Sequence, residues 1–126
     1  MTPTPKHNTH ISLHQLMDEE QTYVLLASVT ADLLQQPDNA RLLLKRAEVY
    51  VALNDLPKAL DDLDKAISLD ETLAEAYMLR GQLRFRLHDK NAALDDLKRA
   101  TTLNPLLLRN LTGEYKTKEP PKTYKF

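Results

Sequence analysis

The 126-residue chain contains no cysteine. That excludes a disulfide, a thiolate nucleophile and a cysteine-based zinc site, and it fits a reducing compartment. Glycine is nearly as scarce. With only Gly81 and Gly113 present, no glycine-rich loop can cradle a phosphate group. Charge of one sign is also missing: 17 basic against 18 acidic residues leave a net −1. A nucleic-acid partner, which calls for a basic excess, is therefore not expected. The longest near-apolar run, Tyr23 to Val29, is interrupted by Ser28. It falls far short of the roughly 20 residues of a membrane helix, and the polar N-terminus lacks the apolar stretch of a secretory signal. A soluble, cytoplasmic protein with no membrane partner is the expectation.

Catalytic signatures are absent too. Gly-x-Ser-x-Gly does not occur. Asp61-Asp62 and Asp95-Asp96 are adjacent carboxylates, but consecutive helix residues point about 100° apart and cannot share a proton. Both pairs are expected on solvated faces. His7, His10 and His14 are the best metal candidates, since His10 and His14 lie four apart and Asp18 continues their face. No His-Glu-x-x-His arrangement supports them, so they are read as solvated histidines near the terminus. No catalytic residue, metal or cofactor is assigned, and the chain is not read as an enzyme.

What the chain does contain is a repeat. Ala-Leu-Asp-Asp-Leu stands at 59–63 and again at 93–97, and an offset of 34 also pairs Ala40 with Ala74, Arg46 with Arg80, Leu53 with Leu87 and Asp55 with Asp89. Residues 40–73 and 74–107 are thus two adjoining copies of one 34-residue unit. A fixed period of this size marks a solenoid, in which each unit buries its apolar face by stacking on a neighbour. The apolar fraction of 42% and charged fraction of 28% suit one small globular domain.

Each unit reads as two helices and a turn. In the first, Asn39 is an N-cap, and Leu42, Leu43, Ala47, Tyr50 and Leu53 recur at helical spacing. Pro57 fits the first turn of the next helix, whose stripe is Ala59, Leu60, Leu63, Ala66, Ile67 and Leu69. In the second unit the capping-box spacing of Thr72 and Glu75 opens the helix at Thr72 or Leu73. His88-Asp89-Lys90-Asn91 is the turn, Ala92 to Leu103 the second helix, and Asn104-Pro105 the stop. Ala47 and Gly81 are equivalent, and Ala59, Ala66, Ala93 and Ala100 are small where helices must approach closely.

The pattern Tyr77…Gly81…Leu87…Ala93…Leu97…Ala100…Leu103-Asn104-Pro105, matched by Leu43…Ala47…Tyr50…Ala59…Leu63…Ala66, resembles the tetratricopeptide repeat (TPR). The two copies cover 68 of the 126 residues. Glu71 stands where the family usually has its closing proline, a change that is easily tolerated. Arg84 stands where an aromatic is commoner, which puts the local stack in doubt. The implied fold is all-α, a helical-hairpin solenoid over residues 11–112. Within it, residues 11–39 form either a degenerate first repeat or one long helix, and 106–112 a capping helix that Gly113 stops. Residues 1–10 and 113–126 are expected to be flexible.

The resemblance further implies that the first helix of each unit lines a concave surface holding a partner's peptide or helix. Its residues here would be Arg41, Leu44, Lys45, Glu48 and Val51, then Glu75, Met78, Leu79, Gln82, Phe85 and Arg86. Leu44, Met78, Leu79 and Phe85 are apolar where core packing does not obviously require it, and such a strip marks an interface. Phe85 and Met78 would anchor the partner, with Arg41, Lys45 and Arg86 placing acidic groups. The strip could equally be covered in cis by residues 11–36 or by the C-terminal tail. Arg41 and Lys45 match the last basic pair of the family's chaperone-carboxylate clamp, but Ile11 occupies the nearer asparagine place, and the clamp is not expected. The functional expectation is a non-catalytic protein-interaction module. The alternative is a self-associating structural protein, a homodimer formed through the solenoid ends or through a face of residues 11–36 carrying Leu26 and Leu33.

Overall fold

A computed structural model describes residues 13–107, with side chains from residue 18 onward. Among these the chain forms five helices: α1 (Leu13–Gln35), α2 (Ala40–Ala52), α3 (Leu56–Leu69), α4 (Ala74–Arg86) and α5 (Lys90–Leu103). No strand occurs among the described residues. α2 with α3, and α4 with α5, are the two hairpins of the 34-residue units, and α3 packs on α4 to join them. Ahead of them stands a single 23-residue helix, α1, rather than a helical pair, and it packs on α2.

The turns inside the hairpins are built identically. The N–H of Asp55 donates to the carbonyl of Tyr50 and that of Asn54 to Val51, closing α2 as a Schellman motif. Asn54 accordingly takes φ 60° and its counterpart His88 φ 68°. Asp55 then caps α3 by accepting from the Lys58 N–H, and Asp89 caps α5 by accepting from Ala92. This cap starts α5 at Lys90, two residues ahead of the expected Ala92. The Asn39 cap of α2 is present, its Oδ1 accepting from the Leu42 N–H at 3.1 Å.

α4 opens differently from the expectation. Its first residue is Ala74 and its N-cap is Leu73, with no side-chain cap. Thr72 does not cap because it is engaged the other way: its N–H and Oγ1–H both donate to Asp70 Oδ1. These bonds favour the ionised form and hold the Asp70 carboxyl below its usual range. Asn104 uses its Oδ1 similarly, accepting from the Leu106 N–H. Asp70 and Asn104 leave the helix with φ −145° and −148°, so Glu71 closes the first unit with the same backbone as Pro105 closes the second.

The core is a continuous stack. Val29 and Leu33 of α1 join Leu43, Leu44, Ala47, Leu63, Ala66 and Leu83 in one cluster, and Ala74, Met78, Ala100 and Leu107 form a second at the far end. The alanines at 47, 59, 66, 93 and 100 are fully buried, as their spacing requires. At Gly81 a Cβ would stand 2.9 Å from Leu97 Cδ2 and 3.1 Å from the Ala93 carbonyl oxygen, so α4 and α5 touch there without room for a side chain. Leu33 faces this core, which removes it from any surface for self-association. Of the expected capping helix only Leu106 and Leu107 are among the described residues. Leu107 is buried against the last hairpin, and the remaining positions, the histidines at 7 and 10 and the two terminal segments lie outside.

The aspartates at 62 and 96 correct the sequence reading. Far from solvated, they are 6% and 4% exposed. Arg46 grips Asp62 with two bonds of 2.7 and 2.8 Å, and Arg80 grips Asp96 with two of 2.9 Å. Arg80 also reaches back to Asp64 of the preceding unit at 2.8 Å, tying the hairpins together. Arg84 adds a further bond to Asp96 at 2.9 Å, so it replaces the usual aromatic by an ion pair. In the first unit the equivalent position is Tyr50, whose ring lies under Arg46 and Lys58. These carboxylates raise the pKa of Arg46 and Arg80 above the ordinary value.

Candidate functional site

α2 and α4 are the first helices of their units and lie side by side. The outward positions of α2 that recur at helical spacing are Arg41, Lys45 and Glu48, all exposed. On α4 the corresponding positions hold Glu75, Leu79 and Gln82, each partly exposed, then Phe85 and Arg86, both exposed. Arg41 Nη2 lies 4.0 Å from Glu75 Oε1, bridging the two helices at a solvent-accessible edge. Glu48 belongs to the same group. Partial burial raises its carboxyl pKa, the charge of Glu75 raises it further, and Lys45 opposes the effect. Arg41, Lys45, Glu48 and Glu75 therefore form one electrostatic patch across the two helices, with positive and negative groups alternating.

The apolar strip is shorter than the sequence suggested. Leu44 is a core residue packed with Leu43 and Ala47, and Met78 is a core residue of the second cluster. Leu79 is half-covered against the first cluster. Only Phe85, 55% exposed, presents a large apolar surface among these four. Helical spacing alone could not separate them. Leu44 and Met78 are equivalent positions of the unit and both are covered by a neighbouring helix, which spacing within one helix does not reveal. The arginine–aspartate grips were also missed. Their signal was present in the constant separation of 16 residues between Arg46 and Asp62 and between Arg80 and Asp96.

Among the described residues no three His, Asp or Glu side chains converge to hold a metal ion. His14 lies on the first turn of α1. Among the same residues no helix is long and apolar enough to cross a membrane.

Comparison with known proteins follows the helices closely. A family model described as TPR repeat matches residues 47–87, and one described as tetratricopeptide repeat matches residues 74–105. The chain belongs to the tetratricopeptide repeat family. Its TPR hairpins are similar to the first TPR of Spaghetti (RPAP3), solved with the HSP90 peptide SRMEEVD bound. The two are 26% identical with a TM-score of 0.65, over 73% of either chain. Two crystal structures of MamA are also similar. One is 26% identical at a TM-score of 0.64, over 85% of this chain and 68% of MamA. The other is 28% identical at 0.63, over 79% of this chain and 60% of MamA. No curated protein sequence matches the chain. The TPR fold is that of a protein-interaction module, and one of these similar TPR structures holds a peptide.

Proposed function

We propose that the shared face of α2 and α4 binds a peptide or helix of a partner protein, without catalysis. Phe85 carries this reading: an aromatic side chain more than half exposed, on the face where the electrostatic patch also lies. A partly exposed aromatic supplies contact area at small ordering cost, and such residues dominate binding energy. Arg41, Lys45 and Arg86 would take acidic groups of the partner, and Glu48 with Glu75 a basic one. Leu79 and Gln82 would complete the floor between them, while Leu44 and Met78 act beneath it by fixing the two helices. The peptide-bound TPR of Spaghetti is consistent with this use of the fold.

The carboxylate clamp remains the less suitable version. In it, basic and amide groups come from first helices upstream of Arg41, whereas among the described residues the element upstream of α2 is α1, a single helix packed on it.

The test is selection of peptides from a random displayed library against the intact chain. Phe85→Ala and Lys45→Glu should each weaken the selected peptides by about tenfold or more while leaving the unfolding midpoint unchanged. Peptides that bind both variants as well as the parent chain would place the site elsewhere.

A further inference from the structure

α1 has an outer face unlike those of the helices it resembles. An offset of 34 carries α3 (Leu56–Leu69) onto residues 22–35, so most of α1 stands in the register of a second helix. It packs on α2 as α3 packs on α4. The outward positions of α3 in this register are Lys58, Asp61, Lys65 and Ser68, and those of α5 are Ala92, Asp95, Arg99 and Thr102. In α1 the same four positions are Val24, Ala27, Ala31 and Leu34, all exposed. Val24 is 67% exposed, Leu34 78% and the adjoining Tyr23 60%. A face that is polar at all four positions of α3 and at three of the four in α5 is thus apolar at every position here, on a helix with no neighbour on that side among the described residues.

We propose that this face docks on the same face of a second copy of the chain, with the two α1 helices antiparallel about a two-fold axis between Ala27 and Ala31. The four positions are separated by 3, 4 and 3 residues and run large, small, small, large, so the stripe reads the same in both directions. Antiparallel pairing sets Val24 against Leu34 of the second copy and Ala27 against its Ala31, the self-complementary match a two-fold interface requires. The alanines let the axes approach to about 8–10 Å while the larger residues close the ends. Charge selects the direction. α1 carries Asp18, Glu19, Glu20 and Asp32 and neither lysine nor arginine. A parallel pair would stack Glu20 on Glu20, whereas the antiparallel pair parts them by roughly 27 Å along the axis, beyond the Debye length. Covering Tyr23, Val24, Leu34 and the alanines on both copies removes on the order of 1,000 Å² in total, the lower limit of a specific interface, so the dimer is reversible and micromolar. It uses the layer of second helices and leaves the α2–α4 face open, so this dimer and peptide binding stand or fall independently.

Sedimentation and light scattering of the intact chain from about 5 to about 500 µM bracket that affinity. The mass should rise from 14.4 kDa towards twice that value. Val24→Glu and Leu34→Glu, both at exposed positions, should each hold the chain at the monomer mass with an unchanged circular dichroism melt. Because the chain lacks cysteine, the double variant Ala27→Cys, Ala31→Cys should oxidise to a covalent dimer, whereas Ala27→Cys alone, which a parallel pair would cross-link, should not. A mass constant at 14.4 kDa throughout would overturn the proposal, as would follow if another part of the chain or a different protein covers the stripe. A dimer that survives both glutamate substitutions would overturn it as well.

Discussion

Asp96 accepts hydrogen bonds from two arginines, Arg80 and Arg84, whereas its counterpart Asp62 is held by Arg46 alone. Both carboxylates are buried, so each depends on its partners to offset lost hydration. Asp96→Asn keeps the shape but takes the carboxylate from Arg84 and leaves Arg80 with Asp64 alone, and it should cost roughly 2–4 kcal/mol. Asp62→Asn takes it from Arg46 only and should cost about 1–2 kcal/mol. The difference should appear as an ordered pair of urea midpoints at constant slope. Equal losses would mean that Arg84 contributes nothing to the grip. The ordering should not change with pH across neutrality. Arg46 and Arg80 have folded-state pKa values raised above the ordinary arginine value. Their contribution is therefore complete below that value and is lost only as pH rises beyond it.

The hairpin turns show how one helix ending has been solved with two different residues. Asn54 and His88 both occupy the left-handed region that closes a Schellman motif. Asparagine tolerates this conformation through its short polar side chain, and histidine does so less well, while glycine meets no Cβ penalty. His88→Gly should therefore stabilise the chain by roughly 1 kcal/mol, and Asn54→Ala should destabilise it by about the same. For a domain of this size that corresponds to opposite shifts of a few degrees in the melting temperature. The hairpins themselves were legible from the 34-residue period, because aspartate at 55 and 89 and the buried alanines mark backbone events that recur. Thr72 misled because a capping-box spacing says nothing of competition, and Asp70 engages it first. The boundaries of α1 were legible only as a choice, since no turn residue separates its two halves.

Stacking sets the behaviour of the whole molecule, and it also explains why the site was harder to read than the fold. Period and small residues identify which helices meet, but exposure at the margins depends on how far the neighbouring helix covers each one. That is why Leu44 and Met78 sink into the core while Phe85 stays at the surface. The same margin separates two adjacent leucines in α1, Leu33 buried and Leu34 exposed. In a solenoid each unit is coupled chiefly to its neighbours, so damage at one end need not reach the other. Leu33 contributes to the cluster that runs from α1 to α4, whereas α5 is held by the second cluster around Met78, Ala100 and Leu107. Leu33→Ala leaves a cavity expected to cost about 2–4 kcal/mol, against a few tenths for Leu34→Ala. Hydrogen exchange on Leu33→Ala should therefore show lost protection in α1 and in the face of α2 beneath it, with α5 amides retaining theirs. A uniform loss across all five helices would instead make the chain a single cooperative unit, with α1 as integral to it as the repeats.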